Sequence, residues 1–453
     1  MRRNKLSVAG ALITALALVT VGCGDDKKSE SEGKTNNGEK TADVKTDYGA
    51  DGSTIRLGML ADLSGPFSTL VKDIVLAQQA YWDRVNKNGG IGGRQIKLDV
   101  QDNKYDVQTH KQLFQAMKSH DAGGVLMMSQ STGSPHTAAI KSELEAENMI
   151  AIPLSWYSGW ADPTLGKNVF EAYTNYCLES MNGIQYMVDQ FKVKKVAVVS
   201  FPGEAGQDSA AGAKYAIQKL GLTLAYDGEA KVAAPSPTNP NPDNSAVVQA
   251  IAGSGADLVW GLVNPATLAQ LMGQSAAKGF KGKWAGNAPS YSPALLKGDI
   301  KNLIDSSFYL SAYTVLLGTD VPGMSDMIEG IKAYKPDAPA SDYYVYGWTE
   351  AQVTEAILQK AAADKDLTRA GVVKAAFELD KVDFKGLAPA QSWKGDPNTY
   401  IVRESYMFKP TLADFKEGVI GTGSTGNKLL KGPFASDNAK NYDYKGPCFK
   451  PAQ

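Results

Sequence analysis

Residues 55–60 read Ile55-Arg56-Leu57-Gly58-Met59-Leu60, and further along Ile96, Leu98 and Val100 alternate with Lys97 and Asp99. Between them Val71, Ile74, Ala77, Tyr81 and Val85 recur at helical spacing, and Gly89-Gly90 closes that stretch where positive φ is inexpensive. An apolar run, an amphipathic helix and a second alternating run form the signature of a βαβ unit with parallel strands.

The same alternation continues outward. Val107, Leu113, Phe114 and Met117 mark a helix, residues 124–128 a strand, residues 135–147 a helix, and residues 149–152 another strand. A second series opens with a helix bearing Leu178, Met181, Ile184, Met187, Val188 and Phe191 and passes into a strand over 195–200. Ala213, Ile217 and Leu220 lie on the next helix, followed by strands at 222–226, 257–262 and 283–286, with a helix over 265–278. Residues 231–245 are proline-rich and are expected to form an exposed loop. Beyond a strand at 308–312, helices are predicted near 324–334 and 343–363, and the Gly-, Lys- and Asn-rich tail from Gly421 is expected to be irregular. The fold class is therefore α/β, with mostly parallel sheets flanked by helices.

The chain has 453 residues, with 47 Lys+Arg against 48 Asp+Glu and a formal net charge of -1, which removes the electrostatic case for nucleic acid. Its three cysteines, Cys23, Cys177 and Cys448, form no zinc-type pair, and no metal or cofactor is expected. Of the three histidines, His110 and His120 lie on a polar helical stretch and are expected on a solvated face; His136 is the third. Gly421 to Gly426 matches GxGxxG but lies outside any strand-turn-helix context, so a dinucleotide site is not expected. With no GxSxG, HExxH or Walker pattern, an enzyme is the weaker reading.

Arg2, Arg3 and Lys5 precede an uncharged, mostly apolar run from Val8 to Val21, the layout of a secretory signal peptide. Fourteen residues rise about 21 Å as a helix, short of the roughly 30 Å hydrocarbon core. Gly22-Cys23 is similar to a lipoprotein cleavage site, although Thr20 stands where Leu is usual. Residues 1–22 are read as the signal, Cys23 as the lipidated N-terminus, and residues up to Ser53, almost devoid of apolar side chains, as a disordered tether.

Several segments in order then resemble one family: residues 55–58 followed by Leu63-Ser64-Gly65-Pro66, residues 88–94 leading into 96–102, residues 124–132, Ile152-Pro153, and residues 195–200 leading into 203–208. Together they resemble the type I periplasmic-binding-protein-like solute receptors of ABC importers, in the branch for branched-chain amino acids, amides and urea. The resemblance implies two lobes joined by three crossover strands near Tyr173, Ala312 and Gly386. One lobe would comprise residues 54–173 plus 313–386, the other 174–312 plus 387–453. It further implies an extracytoplasmic monomer that captures a small molecule between the lobes and hands it unchanged to permease subunits. A sensory receptor of the same fold is the alternative.

Gln130, Ser131 and Thr132 sit between a predicted strand and a helix start, where hydroxyls and unpaired N–H groups suit a carboxylate or amide oxygen; capping of that helix is the competing role. Ser155, Trp156 and Tyr157 follow the next strand and are expected to supply an apolar wall. Glu204, Gln207 and Asp208 occupy the facing loop of the second lobe, while Asn264 and Asn287 end later strands. Amino-acid-binding relatives usually carry an acid near the last of these positions. With Asn287 there, either Glu204 or Asp208 supplies the counter-charge or the ligand lacks an ammonium. In an oxidising compartment Cys177 and Cys448 are candidates for a disulfide, with two free thiols as the alternative.

Overall fold

The computed structural model describes residues 44–236 and 238–451. The signal segment, Cys23 and the tether as far as residue 43 lie outside the described residues.

In chain order the first elements are β1 (Lys45–Thr46), β2 (Thr54–Ala61), α1 (Ser68–Lys87), β3 (Gln95–Asp102), α2 (Val107–Met117), β4 (Met127–Thr132), α3 (Ser134–Ala146) and β5 (Ala151–Leu154). Next come α4 (Tyr176–Phe191), β6 (Lys195–Ser200), α5 (Glu204–Lys219), β7 (Thr223–Gly228), α6 (Ser245–Gly253), β8 (Leu258–Leu262), α7 (Pro265–Ala277), β9 (Lys283–Gly286), α8 (Lys301–Ser307) and β10 (Phe308–Ala312). The last group is α9 (Pro322–Tyr334), α10 (Tyr343–Ala363), β11 (Asp366–Leu367), α11 (Arg369–Phe377), α12 (Pro397–Tyr400), β12 (Ser405–Lys416), β13 (Ser424–Phe434) and α13 (Asp437–Lys440).

Two lobes result. The first is built on a four-stranded sheet, β3-β2-β4-β5, parallel throughout, with Thr54 opposite Gln95 and Leu57 opposite Met127. The second is built on a seven-stranded sheet, β13-β12-β10-β9-β8-β6-β7, parallel from β7 to β10 and antiparallel in its last two strands. The chain passes between the sheets after β5, after β10 and again before β12, and α9 and α10 pack back onto α1 of the first lobe. Gly347 lets α10 approach α1 closely, since a Cβ there would lie 2.1 Å from the Ile74 carbonyl oxygen. Asp106, Asn175 and Asn264 cap α2, α4 and α7 by accepting backbone N–H bonds, which is how the short polar residues before these helices set their starts. Among the described residues no helix is long and apolar enough to cross a membrane.

Four sequence expectations need correction. The expected tether ends earlier: β1 pairs in parallel with β11, and Tyr48 stacks on His120 at 4.0 Å beneath the Arg369 guanidinium, so a stretch with little apolar character docks through backbone bonds and one aromatic ring. The strand expected at 124–128 is β4, which extends through Thr132, because Ser129, Gln130 and Ser131 find polar partners inside the fold. The tail from Gly421 is not irregular. β13 pairs with β12 at the edge of the sheet, where Lys428 to Lys431 are exposed on both faces and Asn427 donates to Asp342, so neither alternation nor apolar character marks the strand. His110 is buried, held by Asn103 and Ser131, whereas His120 is exposed and pairs with Glu147.

Cys177 on α4 and Cys448 in the tail are joined by a disulfide with a Cα–Cα distance of 6.4 Å. The core beneath α4 depends on Gly183, where a Cβ would come 2.1 Å from the Trp260 ring. Trp260 is fully buried and its Nε1 donates to Ser180 and Ser209, so the ring has no room to retreat. Gly183→Ala is expected to destabilise the fold by about 1–3 kcal/mol through overpacking, read as a lowered denaturant midpoint with unchanged m-value.

Candidate functional site

The cleft is shaped first by carboxylates that order its loops. Asp62, fully buried at the end of β2, accepts the N–H groups of Gly65 and Phe67 at 2.5 and 2.8 Å. Asp102 at the end of β3 accepts the Leu63 N–H and the Ser64 hydroxyl. The Leu63-Ser64-Gly65-Pro66 turn is thereby fixed, and Phe67 and the first turns of α1 face the second lobe. On the neighbouring strand Gly133, at φ 103°, breaks β4 into α3. Any Cβ there would strike the His136 ring at 2.3 Å, so the turn requires glycine twice over.

Between the lobes lies a cavity of ≈ 270 Å³. The first lobe contributes Phe67, Leu70, Val71 and Ile74 from the start of α1, Tyr105 and Val107, Thr132 through His136 at the β4–α3 junction, and Leu154 and Trp156 after β5. The second contributes Tyr176, Phe201, Pro202, Glu204 to Gly206, Leu262, Ala288 and Pro289, and α10 closes the back with Tyr343 and Tyr346. Trp156 packs against Tyr313, Tyr346 and Tyr176 at 4.5, 5.8 and 6.0 Å between ring centroids, so one ring is both wall and core.

Among the described residues no Lys or Arg lines this cavity. His136 does, with its pKa lowered to about 4 by burial, and its neighbour His110 is lowered to about 3 by burial and then by His136, so both rings are neutral at neutral pH. The polar groups facing the space are Thr132, Ser134 and His136 at the N-terminus of α3, and across from them Glu204 in the first turn of α5. Such a surface suits an apolar body with one polar end.

Of the residues singled out from sequence, Thr132, Trp156 and Glu204 line the cavity. The others are placed elsewhere. Gln130 accepts from Gln78 and donates to Thr132; Ser131 pairs with His110 and Thr137. Ser155 is hydrogen-bonded to Ser134 and to Trp160 Nε1, and Tyr157 donates to the Phe449 carbonyl. Gln207 accepts the Gly203 N–H and donates to Glu229. Asn264 caps α7 and donates to the Pro66 carbonyl at 3.2 Å, a direct bond across the mouth of the cleft. Asn287 is fully buried, accepting from Ser209 and donating to Glu179.

Asp208 is committed too, accepting the N–H and hydroxyl of Ser158 and the N–H of Phe449. Of the two candidate counter-charges, only Glu204 faces the ligand space. The apolar stripe at the start of α1 and the Tyr343/Tyr346 pair went unrecognised as site residues. Both have the i, i+3 spacing of ordinary core, and only the facing lobe shows that they border a cavity.

Three buried acids around the lobe junction bear on pH. Burial raises Asp208 and Asp342 to about 7 and Glu179 to about 8, against partial relief from their hydrogen bonds. A carboxyl whose folded pKa exceeds its unfolded value binds more protons when folded, so stability falls as pH rises toward the folded value. The buried histidines act oppositely, but only below their unfolded pKa of roughly 6.5. Thermal melts are therefore expected to give a lower Tm at about pH 8 than at about pH 6.5, and Glu179→Gln should flatten that slope.

The periplasmic binding protein family model matches residues 54–409. The fatty acid ABC transporter substrate-binding protein from Thermomonospora curvata superposes with a TM-score of 0.78 at 28% identity, over 88% of this chain and 97% of that one. A branched chain amino acid ABC transporter structure from Thermus thermophilus with bound valine gives 0.70 at 18% identity, over 86% and 98%. A solute binding protein from R. palustris in complex with benzoate gives 0.67 at 15% identity, over 86% and 100%. At those identities the latter two show the fold alone. No curated protein sequence matches the chain.

Proposed function

The chain belongs to the periplasmic binding protein family, and on that premise we propose that this small-molecule import receptor takes a carboxylic acid with an apolar or aromatic body. The observation that carries the solute class is the lining of the cleft: aliphatic and aromatic side chains around a neutral polar end at the N-terminus of α3. A helix N-terminus with adjacent hydroxyls stabilises a carboxylate without a lysine or arginine, and burial of the apolar body supplies most of the affinity at about 25 cal/mol per Å². The likeness to the fatty acid substrate-binding protein supports the same class.

A second reading, an α-amino acid with an apolar side chain, rests on Glu204 as the carboxylate facing the cavity. Capture is reversible closure: contacts from both lobes favour the closed arrangement, and the solute shifts the equilibrium only by its preference for that arrangement. No covalent step is required. The lobes are assigned as 54–173 plus 313–386 and 174–312 plus 387–453, the working form is a monomer, and the closed shape is what the permease subunits of the importer recognise. The N-terminal sequence supports an extracytoplasmic receptor anchored through lipid on Cys23.

Calorimetric titration is expected to show saturable binding without turnover for octanoate, phenylacetate or a similar acid, and weaker binding of leucine and phenylalanine. The reverse ranking, abolished by Glu204→Gln, would establish the amino-acid reading instead. Val71→Asp should weaken the preferred acid at least about tenfold by placing a charge in the apolar wall, and Thr132→Val by up to about tenfold through one lost hydrogen bond. Mass spectrometry of the native N-terminus is expected to find an acylated Cys23; an unmodified residue there rules out the anchor.

A further inference from the structure

Buried acids in this protein are almost all provided with donors: Glu179 has Asn287 and the Ala288 N–H, Asp208 has Ser158 and Phe449, Asp342 has Leu317, Thr425 and Asn427, and Glu350 has Gln78. Glu171 is different. It lies in the first passage between the lobes and is 9% exposed; Glu350 too has one unpartnered oxygen, but among the described residues no hydrogen bond at all reaches the Glu171 carboxyl, whose Oε1 is buried. Burial, reinforced by the nearby Asp208 carboxyl, holds its proton affinity well above the usual carboxylate range, and among the described residues no cationic side chain relieves it. An isolated buried carboxylate is costly, so a protein that keeps one invites the question of what completes it.

Glu171 borders a cavity of ≈ 350 Å³ that shares no lining residue with the solute cleft. The walls include Trp160, Phe170, Phe377, Trp393 and Tyr400, and the rim is exposed at Pro163, Lys167 and Gly395. The frame is rigidly tied. Trp393 Nε1 donates to the Glu171 carbonyl at 2.7 Å, Gln391 accepts the Tyr173 N–H at 2.8 Å, and Phe170 stacks on Trp393 at 4.4 Å.

We propose that this cavity is a second small-molecule site, for a small organic cation such as a methylated or aromatic amine, with Glu171 as its counter-charge. Aromatic faces attract a desolvated cation through the ring quadrupole, and the carboxylate gains the partner it lacks. Among the described residues Lys167 is the cationic side chain on the lining; it is exposed at the rim and makes no ion pair with Glu171. Because the walls come from both the first and the third passage between the lobes, an occupant contacts the segments that bend on opening. Its affinity therefore differs between open and closed forms, and it biases that equilibrium.

The groups facing Glu171 are Asp208 from α5, Tyr400 from α12, Tyr444 from the tail and Lys167 at the rim. A quaternary ammonium does not titrate, so its affinity tracks ionisation of Glu171 and rises with pH. Calorimetry on the mature chain with choline, benzyltrimethylammonium and benzylamine is the test. At least one should bind with unit stoichiometry, more tightly at about pH 8 than at about pH 6, and about tenfold less tightly to Glu171→Gln. 3,3-Dimethylbutanol, the uncharged isostere of choline, should bind about tenfold more weakly than choline. Should Glu171→Gln fail to fold, the pH dependence and the isostere comparison on the unaltered chain still decide. Failure of all three cations to bind, or binding indifferent to pH, to charge and to Glu171→Gln, overturns the proposal.

Discussion

Backbone that leaves one sheet for another loses its ladder partners, and its N–H groups must be satisfied where no strand lies alongside. In this protein that task falls to side chains at the first two passages between the lobes. Asp208 takes the Ser158 N–H beyond β5, Gln391 takes the Tyr173 N–H, and Asp342 takes the Leu317 N–H beyond β10. The same acids reach further. Asp342 also accepts from Thr425 and Asn427 of β13, and Asp208 from Phe449 in the tail that the Cys177–Cys448 disulfide fastens to α4. The C-terminal hairpin and tail are thus bound to the passages themselves, in addition to the pairing of β12 with β10 at the edge of the sheet.

The arrangement has an electrostatic consequence. Acids used to cap buried backbone are withdrawn from water, and their proton affinities rise with burial. Charge at the junction is thereby reduced at neutral pH, which composition alone conceals, since the chain carries nearly balanced totals of acids and bases. The neighbouring cleft has one carboxylate on its lining, Glu204, and no cation among the described residues: His136 on the lining and His110 behind it are uncharged, and no lysine or arginine borders the space. A solute entering it is selected by shape and apolar area, with a single polar end oriented by the α3 N-terminus.

Much of the fold was legible in the sequence because parallel βα units write two periods side by side: the alternation of Ile55 to Leu60 and the helical recurrence of Val71 to Val85 are local signals. What stayed hidden was written in partners rather than in periods. β4 runs on through Ser129, Gln130 and Ser131 because Gly58, Gln78 and His110 supply hydrogen bonds from distant positions. β13, an exposed edge strand with Lys428 and Lys431 and no regular alternation, looks like a loop until β12 is placed beside it. The cleft was half legible. Loop ends after strands pointed to Thr132, Trp156 and Glu204, but the α1 stripe gives the same pattern whether it packs on core or borders a cavity.

The second lobe shows how one substitution of role alters specificity. Asn287, at the end of β9, has no charge of its own and is bound to Glu179, whose carboxyl is fully buried and also accepts the Ala288 N–H at 3.1 Å. The acid near this position therefore stabilises the turn that carries Ala288 and Pro289 into the cleft, and it faces those residues' backbone instead of the ligand space. An ammonium brought there would meet an apolar surface, and its desolvation would go uncompensated. Among the described residues Glu204 is left as the one carboxylate on the lining, half-buried in the first turn of α5. A neutral apolar body is the solute chemistry that leaves all of these groups in the partnerships they already have.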